Sequence, residues 1–124
     1  MDHDLLDHLA MEVNWRPWEL EVFRRADGHC EYCGKDLFAS SDAFYFEREF
    51  DHIVPTGGDG PENRALACRP CNFIKRRYVP VGGSRAELVA DAAGKIRERR
   101  ERNNKRLAKD RAWLHGTPAC ESVP

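Results

Sequence analysis

Two Cys-x-x-Cys units constrain this chain more than any other feature: Cys30 with Cys33, and Cys68 with Cys71. Two thiolates at this spacing reach one ion if the backbone turns tightly, and Gly34 permits that turn after the first pair. Four soft ligands together define a tetrahedral zinc site, so any fold must bring the two segments face to face. The competing reading is a pair of reduced redox or packing motifs. The chain has 124 residues and a charged fraction of 33%, which leaves modest apolar material for one domain. A metal staple would help it fold. Residues 34–67 separate the pairs, a longer insert than a compact zinc ribbon carries, and they hold most of the chemically interesting side chains.

A formal net charge of −1 hides an asymmetry. Residues 1–21 carry six acids against Arg16, whereas residues 95–111 carry nine bases against Glu98, Glu101 and Asp110. A local basic stripe can bind nucleic acid even when the whole molecule is neutral. No stretch is long or apolar enough to span a membrane. The acidic start, MDHDLLDHLAMEV, lacks the basic region of a signal peptide, and paired cysteines suit a reducing setting, so a cytoplasmic location is expected. Cys120 is read as a free thiol in a flexible tail over residues 116–124.

Helical spacing of Leu5, Leu6, Leu9 and Val13 suggests a short first helix. Pro17 opens a second, with Trp18, Leu20, Val22, Phe23 and Ala26 as its apolar set and Asp27-Gly28 as its end. Residues 1–27 thus form an N-terminal helical extension. Residues 36–43 read as loop. From Phe44 to Val54 the alternation is strand-like, with Phe46, Arg48, Phe50 and His52 on one face and Glu47, Glu49, Asp51 and Ile53 on the other. Pro55 ends that strand, Thr56 to Pro61 form a turn-rich loop, and Arg64 to Cys68 can pair as a second strand. A helix starts at Arg69-Pro70-Cys71. Residues 28–80 make the core. Ser84 and Glu87 cap a long basic helix from Arg85 to about Leu114, within a segment 81–115. Leu88, Ala92 and Ile96 form its apolar stripe, but residues 97–106 contain nothing apolar and cannot bury a face. Trp15, Trp18 and Trp113 are taken as packing groups.

Asp51 and His52 stand side by side before a glycine-rich turn, Asn63 follows, and Asn72 directly succeeds Cys71. A neutral imidazole takes a proton from water near neutral pH, so His52 is the candidate general base for phosphodiester hydrolysis. Alternation points Asp51 to the other side of a regular strand, so the two act together only if the strand ends or twists there. Asp51 and the amide oxygen of Asn72 are hard donors for a divalent ion that would stabilise the leaving oxygen. Asn63 would hold the loop that orients His52; alone, it is equally ordinary turn chemistry. Glu49 is close enough in sequence to assist the metal.

Asp51-His52-Ile53-Val54-Pro55, Gly57-Gly58, Asn63 and Cys68-x-x-Cys71-Asn72-x-x-Lys75 together resemble the HNH endonuclease family with a four-cysteine zinc site. The match spans about residues 30–77. It implies an α+β fold with a zinc-stapled ββα-metal core, extended here by N-terminal helices and the long basic C-terminal helix. It also implies His52 as base, Asp51 and position 72 as metal ligands, and Asn63 as the orienting residue. Asparagine stands at position 72 where histidine is common. An amide oxygen is harder than imidazole and favours magnesium or manganese, with nickel also to be tested.

The expected activity is metal-dependent hydrolysis of double-stranded or branched DNA. Lys75, Arg76 and Arg77, together with Arg99, Arg102, Lys105 and Arg106 on the long helix, are the candidate phosphate contacts; a solvated helix face is the plainer alternative. A homodimer would allow both strands to be cut. The rival from another class is a non-catalytic zinc-stabilised module that binds DNA or protein. It accounts for the cysteines and the basic helix, but not for Asp51-His52 together with Asn63 and Asn72.

Overall fold

Arg16 and Pro17 open the first helix, α1 (Pro17–Arg25), where Glu19 accepts a 2.9 Å hydrogen bond from the Arg16 backbone N–H. The structure, a computed structural model, describes residues 14–116. The helix expected over residues 4–13 and the tail carrying Cys120 lie outside the described residues. Val22 and Phe23 of α1 are fully buried, and Asp27 and Gly28 end the helix with positive φ angles of 51° and 71°. The Cys30–Lys35 knuckle follows. It closes through Cys30 N–H to Lys35 O and Gly34 N–H to Cys30 O, with Gly34 at φ +82°.

The expected strand from Phe44 to Val54 is shorter than the alternation suggests. Ala43–Glu47 form a π-helical turn, and strand β1 covers only Arg48–His52. The turn drives Phe44 into an aromatic cluster, stacked 5.7 Å from Trp15 and edge-on to Phe23. Phe46 is consequently exposed rather than sharing a face with Phe50. Burial of one aromatic against two others outweighs a few residues of edge-strand pairing. Strand β2 (Arg64–Cys68) pairs antiparallel with β1, setting Glu49 opposite Ala67, Asp51 opposite Ala65 and His52 opposite Arg64.

The result is a small α+β fold: one two-stranded antiparallel sheet with helices around it. Helix α2 (Arg69–Lys75) starts where β2 stops, and helix α3 (Arg85–Leu114) follows, capped by Ser84 Oγ on Glu87 N–H. Ala92 and Ile96 of α3 share one hydrophobic cluster with Val22 and Phe23 of α1 and Leu66 of β2. Glu31 binds the knuckle to the sheet: its N–H donates to Leu66 O, its carboxylate accepts from Leu66 N–H, and Arg85 of α3 pairs with it at 2.9 Å. Trp15 and Trp18 pack as expected, but Trp113 is 80% exposed. No helix among the described residues is long and apolar enough to cross a membrane.

Arg76 ends α2 at φ 51°, ψ −124°. Side chains with a Cβ avoid this region, at a cost of order 1–3 kcal/mol, and glycine is the usual occupant of such a helix terminus.

Candidate metal centre and active site

The Sγ atoms of Cys30, Cys33, Cys68 and Cys71 all lie within 4.8 Å of one another. The 3.8 Å between Cys33 and Cys68 Sγ matches the edge of a tetrahedron with zinc–sulfur bonds of about 2.3 Å. Cys30, Cys68 and Cys71 are buried while Cys33 reaches the surface. Hydrogen bonds within the cluster, from Cys68 first and then Cys71, hold the Cys30 thiol far below its ordinary pKa; the contact with Cys30 pushes Cys68 up to about 12, and Cys71 is raised as well. Cys71 N–H donates to Cys68 Sγ at 3.4 Å, and Arg100 of α3 donates to Cys71 Sγ at 3.2 Å. The four cysteines can therefore hold a zinc ion, with a guanidinium offsetting the excess negative charge of four thiolates.

The strand alternation places Glu49 and Asp51 on the face of β1 that looks toward α2. Their partners in β2 are Ala67 and Ala65, both fully buried. These small side chains let α2 approach, and its residues 72 and 75, one turn apart, meet the two carboxylates. The Asn72 amide donates to Glu49, which also accepts from Arg69 at 3.2 Å. Lys75 Nζ lies 3.1 Å from Asp51 Oδ2 and donates to His52 O at 2.9 Å. The same Asp51 oxygen accepts from Tyr32 O–H at 2.6 Å. Burial holds the Asp51 carboxyl above the usual carboxylate range, against the opposing pull of Tyr32 and Lys75. Burial also raises Tyr32, as does its Asp51 neighbour, so the phenol remains a donor.

This geometry corrects one expected phosphate contact. Lys75 is 0% exposed, and its ammonium is spent on Asp51 and a backbone carbonyl. A charge buried without a partner is too costly, so Lys75 forms a core ion pair with Asp51.

His52 is the last residue of β1, with a side chain 35% exposed. Its Nε2 lies 2.8 Å from Asp59 Oδ1 across the glycine-rich loop. A carboxylate only accepts, so Nε2 is the donor in this contact. The contact with His52 holds Asp59 below its ordinary pKa. Arg64 stands 3.8 Å from the same Asp59 oxygen, while its guanidinium covers the Trp18 ring at 4.6 Å. Asp59 was not a candidate from the sequence, where Gly57-Gly58-Asp59-Gly60 reads only as turn chemistry. Tyr32 was hidden between two ligands of the knuckle.

No protein-family model, curated protein or solved structure matches this chain.

Asn63 stitches the loop after β1. Its Oδ1 accepts from Val54 N–H at 3.0 Å, and its Nδ2 donates to Val54 O at 3.0 Å and Gly58 O at 2.9 Å. The backbone adds Ile53 N–H to Asn63 O at 2.9 Å. Gly57 is required here for space: a Cβ would meet Asn63 Nδ2 at 2.6 Å and Val54 O at 3.2 Å. Gly57→Ala is expected to displace the Asn63 amide and lower stability by about 1–3 kcal/mol, as overpacking does elsewhere. Urea unfolding of the zinc-loaded protein reads this; a shift under about 0.5 kcal/mol, the size of an ordinary surface change, would contradict it.

The basic residues divide into two groups. Arg99 Nη1 donates to the carbonyls of Ile74 and Lys75 at 3.0 and 2.9 Å, capping the last turn of α2, so that arm of the guanidinium is structural. Arg76, Arg77, Arg99, Arg102 and Arg106 nevertheless line one groove of about 550 Å³ between the end of α2 and the middle of α3. Lys105 is exposed on α3 and does not line it.

Proposed function

We propose that this protein is a metal-dependent endonuclease of the HNH type, hydrolysing phosphodiester bonds in DNA. The observation that carries the reading is the placement of three motif residues on one β1–β2–α2 unit. His52 closes the first strand beside a loop held by Asn63, while the adjacent Asp51 pairs with Lys75 of the helix that begins inside the cysteine motif.

His52 Nδ1 takes the proton of the attacking water, and Asp59 steadies the imidazolium that results. Asn63 holds the loop backbone that sets the ring's position. Asp51 Oδ1 and Asn72 Oδ1 are hard oxygen donors with no hydrogen bond among the described residues, so this donor set fits a divalent ion such as magnesium or manganese. Such an ion, when bound, supplies positive charge to the leaving oxygen and the phosphoryl group. Lys75, fixed on the other oxygen of Asp51, keeps that carboxylate aimed toward α2.

The test is plasmid cleavage by wild type beside His52→Ala, with EDTA, magnesium, manganese and nickel in parallel. Metal-dependent nicking or linearisation is expected for wild type, with a fall of about 10²–10⁴-fold in the variant. The His52 side chain is half-exposed, so its removal leaves the core and the cysteine cluster in place. Undiminished cleavage by the variant would remove His52 from the mechanism. No cleavage of plasmid or branched DNA with any metal, by protein that holds zinc and binds DNA, would favour the non-catalytic module.

A further inference from the structure

The groove between α2 and α3 has no part in the hydrolytic chemistry, yet its lining is specialised. Five guanidinium groups open onto it, and Glu98, paired with Arg102 at 3.0 Å, is the one carboxylate bonded to any of them among the described residues. Arg77 and Arg106 form no ion pair or hydrogen bond among the described residues. Phe73, 69% exposed, stands at the groove edge. Arg76 lies across its ring at 5.3 Å, from the strained backbone position where glycine would sit without cost. The position places the Arg76 guanidinium on the groove side of Phe73.

Tyr78 is different. Its hydroxyl is bound to Asp91 at 2.6 Å, and Lys95 and Arg99 cover its ring at 5.4 and 5.6 Å. It is a wall, whereas Phe73 has aromatic surface to spare. Unspent guanidinium groups beside an open aromatic face suit a chain that carries both phosphates and exposed base faces. A single nucleic-acid strand has both; a duplex keeps its base faces in the stack and offers phosphates alone.

We propose that this groove takes an unpaired nucleic-acid strand, with phosphates against Arg77 and Arg106 and a base on the free face of Phe73. The inference rests on the endonuclease reading and narrows its substrate to nucleic acid with an unpaired stretch.

Binding is measured by fluorescence anisotropy on zinc-loaded His52→Ala protein, so that the probe stays intact. The probes are a labelled 20-nucleotide single strand and the duplex of the same sequence. The single strand is expected to bind more tightly. Adding Phe73→Ala should weaken it about 5- to 150-fold, the loss seen when a base-stacking aromatic is removed, while duplex affinity changes less than twofold. Adding Arg77→Ala with Arg106→Ala instead should lower the slope of log affinity against log salt for the single strand by about 1.4, as two lost phosphate contacts require. Equal affinity for both probes, or a Phe73→Ala protein that binds the single strand as before, would overturn the proposal. If wild type still cleaves plasmid with metal in that event, the groove assignment falls alone. Strong single-strand binding with the Phe73 effect, but no cleavage of any substrate, would retain the groove and discard the nuclease.

Discussion

Replacing Cys68 by serine is expected to yield a chain without bound zinc and without the helical far-ultraviolet signal of the wild type. Cys68 is the junction of the fold. It ends β2, caps α2 through its sulfur, and is 2% exposed among the other three thiols. A serine hydroxyl is nearly the same size, but it stays protonated and is a poor zinc ligand. A structural zinc ion supplies about 10–16 kcal/mol to small domains, as much as or more than the 5–15 kcal/mol by which a typical domain is stable. The cluster also joins separate parts of the chain at one point: the knuckle, the sheet, α2 and, through Arg100, the long helix. Circular dichroism and a colorimetric zinc-release assay read both consequences. Chelation of wild-type zinc should give the same loss, and adding zinc back should reverse it. A Cys68→Ser protein with wild-type helicity and no zinc would show that the sulfur cluster is not the staple.

Lys75→Met should cost about 3–5 kcal/mol, the usual penalty for removing one member of a buried ion pair. Methionine fills much of the lysine volume, so the loss comes from charge rather than from a cavity. It leaves Asp51 buried with Tyr32 as its one remaining donor among the described residues, and His52 O loses the ammonium. The effect should depend on pH. Burial already raises the Asp51 carboxyl above its unfolded value, and loss of the lysine, which opposes that rise, lifts it further. A raised carboxyl contributes stability fully below its unfolded pKa and loses it as pH rises through the folded pKa. The deficit of Lys75→Met relative to wild type should therefore be larger at pH 7.5 than at pH 5.5. Adding Asp51→Asn should restore part of it, since no charge is then left unpaired. Urea midpoints of wild type, Lys75→Met, Asp51→Asn and the double variant complete the cycle. A Lys75→Met protein as stable as wild type at pH 7.5 would mean that the pair contributes nothing to the fold.

The sequence by itself determined what depends on neighbours along the chain. The two Cys-x-x-Cys units, the start of α1 at Pro17, its positive-φ ending at Asp27-Gly28, the entry to α2 through Arg69-Pro70 and the span of α3 from Arg85 to Leu114 are set by backbone sterics and local capping, so pattern and spacing reveal them. Only the tertiary structure decided which side chain meets which. The π-helical turn at Ala43–Glu47 replaced four residues of expected strand because Phe44 found Trp15 and Phe23, both distant along the chain. Lys75 left the candidate interface because α2 rests on Ala65 and Ala67, within reach of Asp51. Asp59 gained His52 as a partner from the fold of a loop whose letters promise only a turn. Arg100 was drawn out of the basic stripe by a sulfur atom, and Arg99 spends one arm on a helix end while still lining the groove. A charged side chain has the same propensity on a wet surface as in a buried pair; desolvation and the partner's distance choose between them, and both are properties of packing.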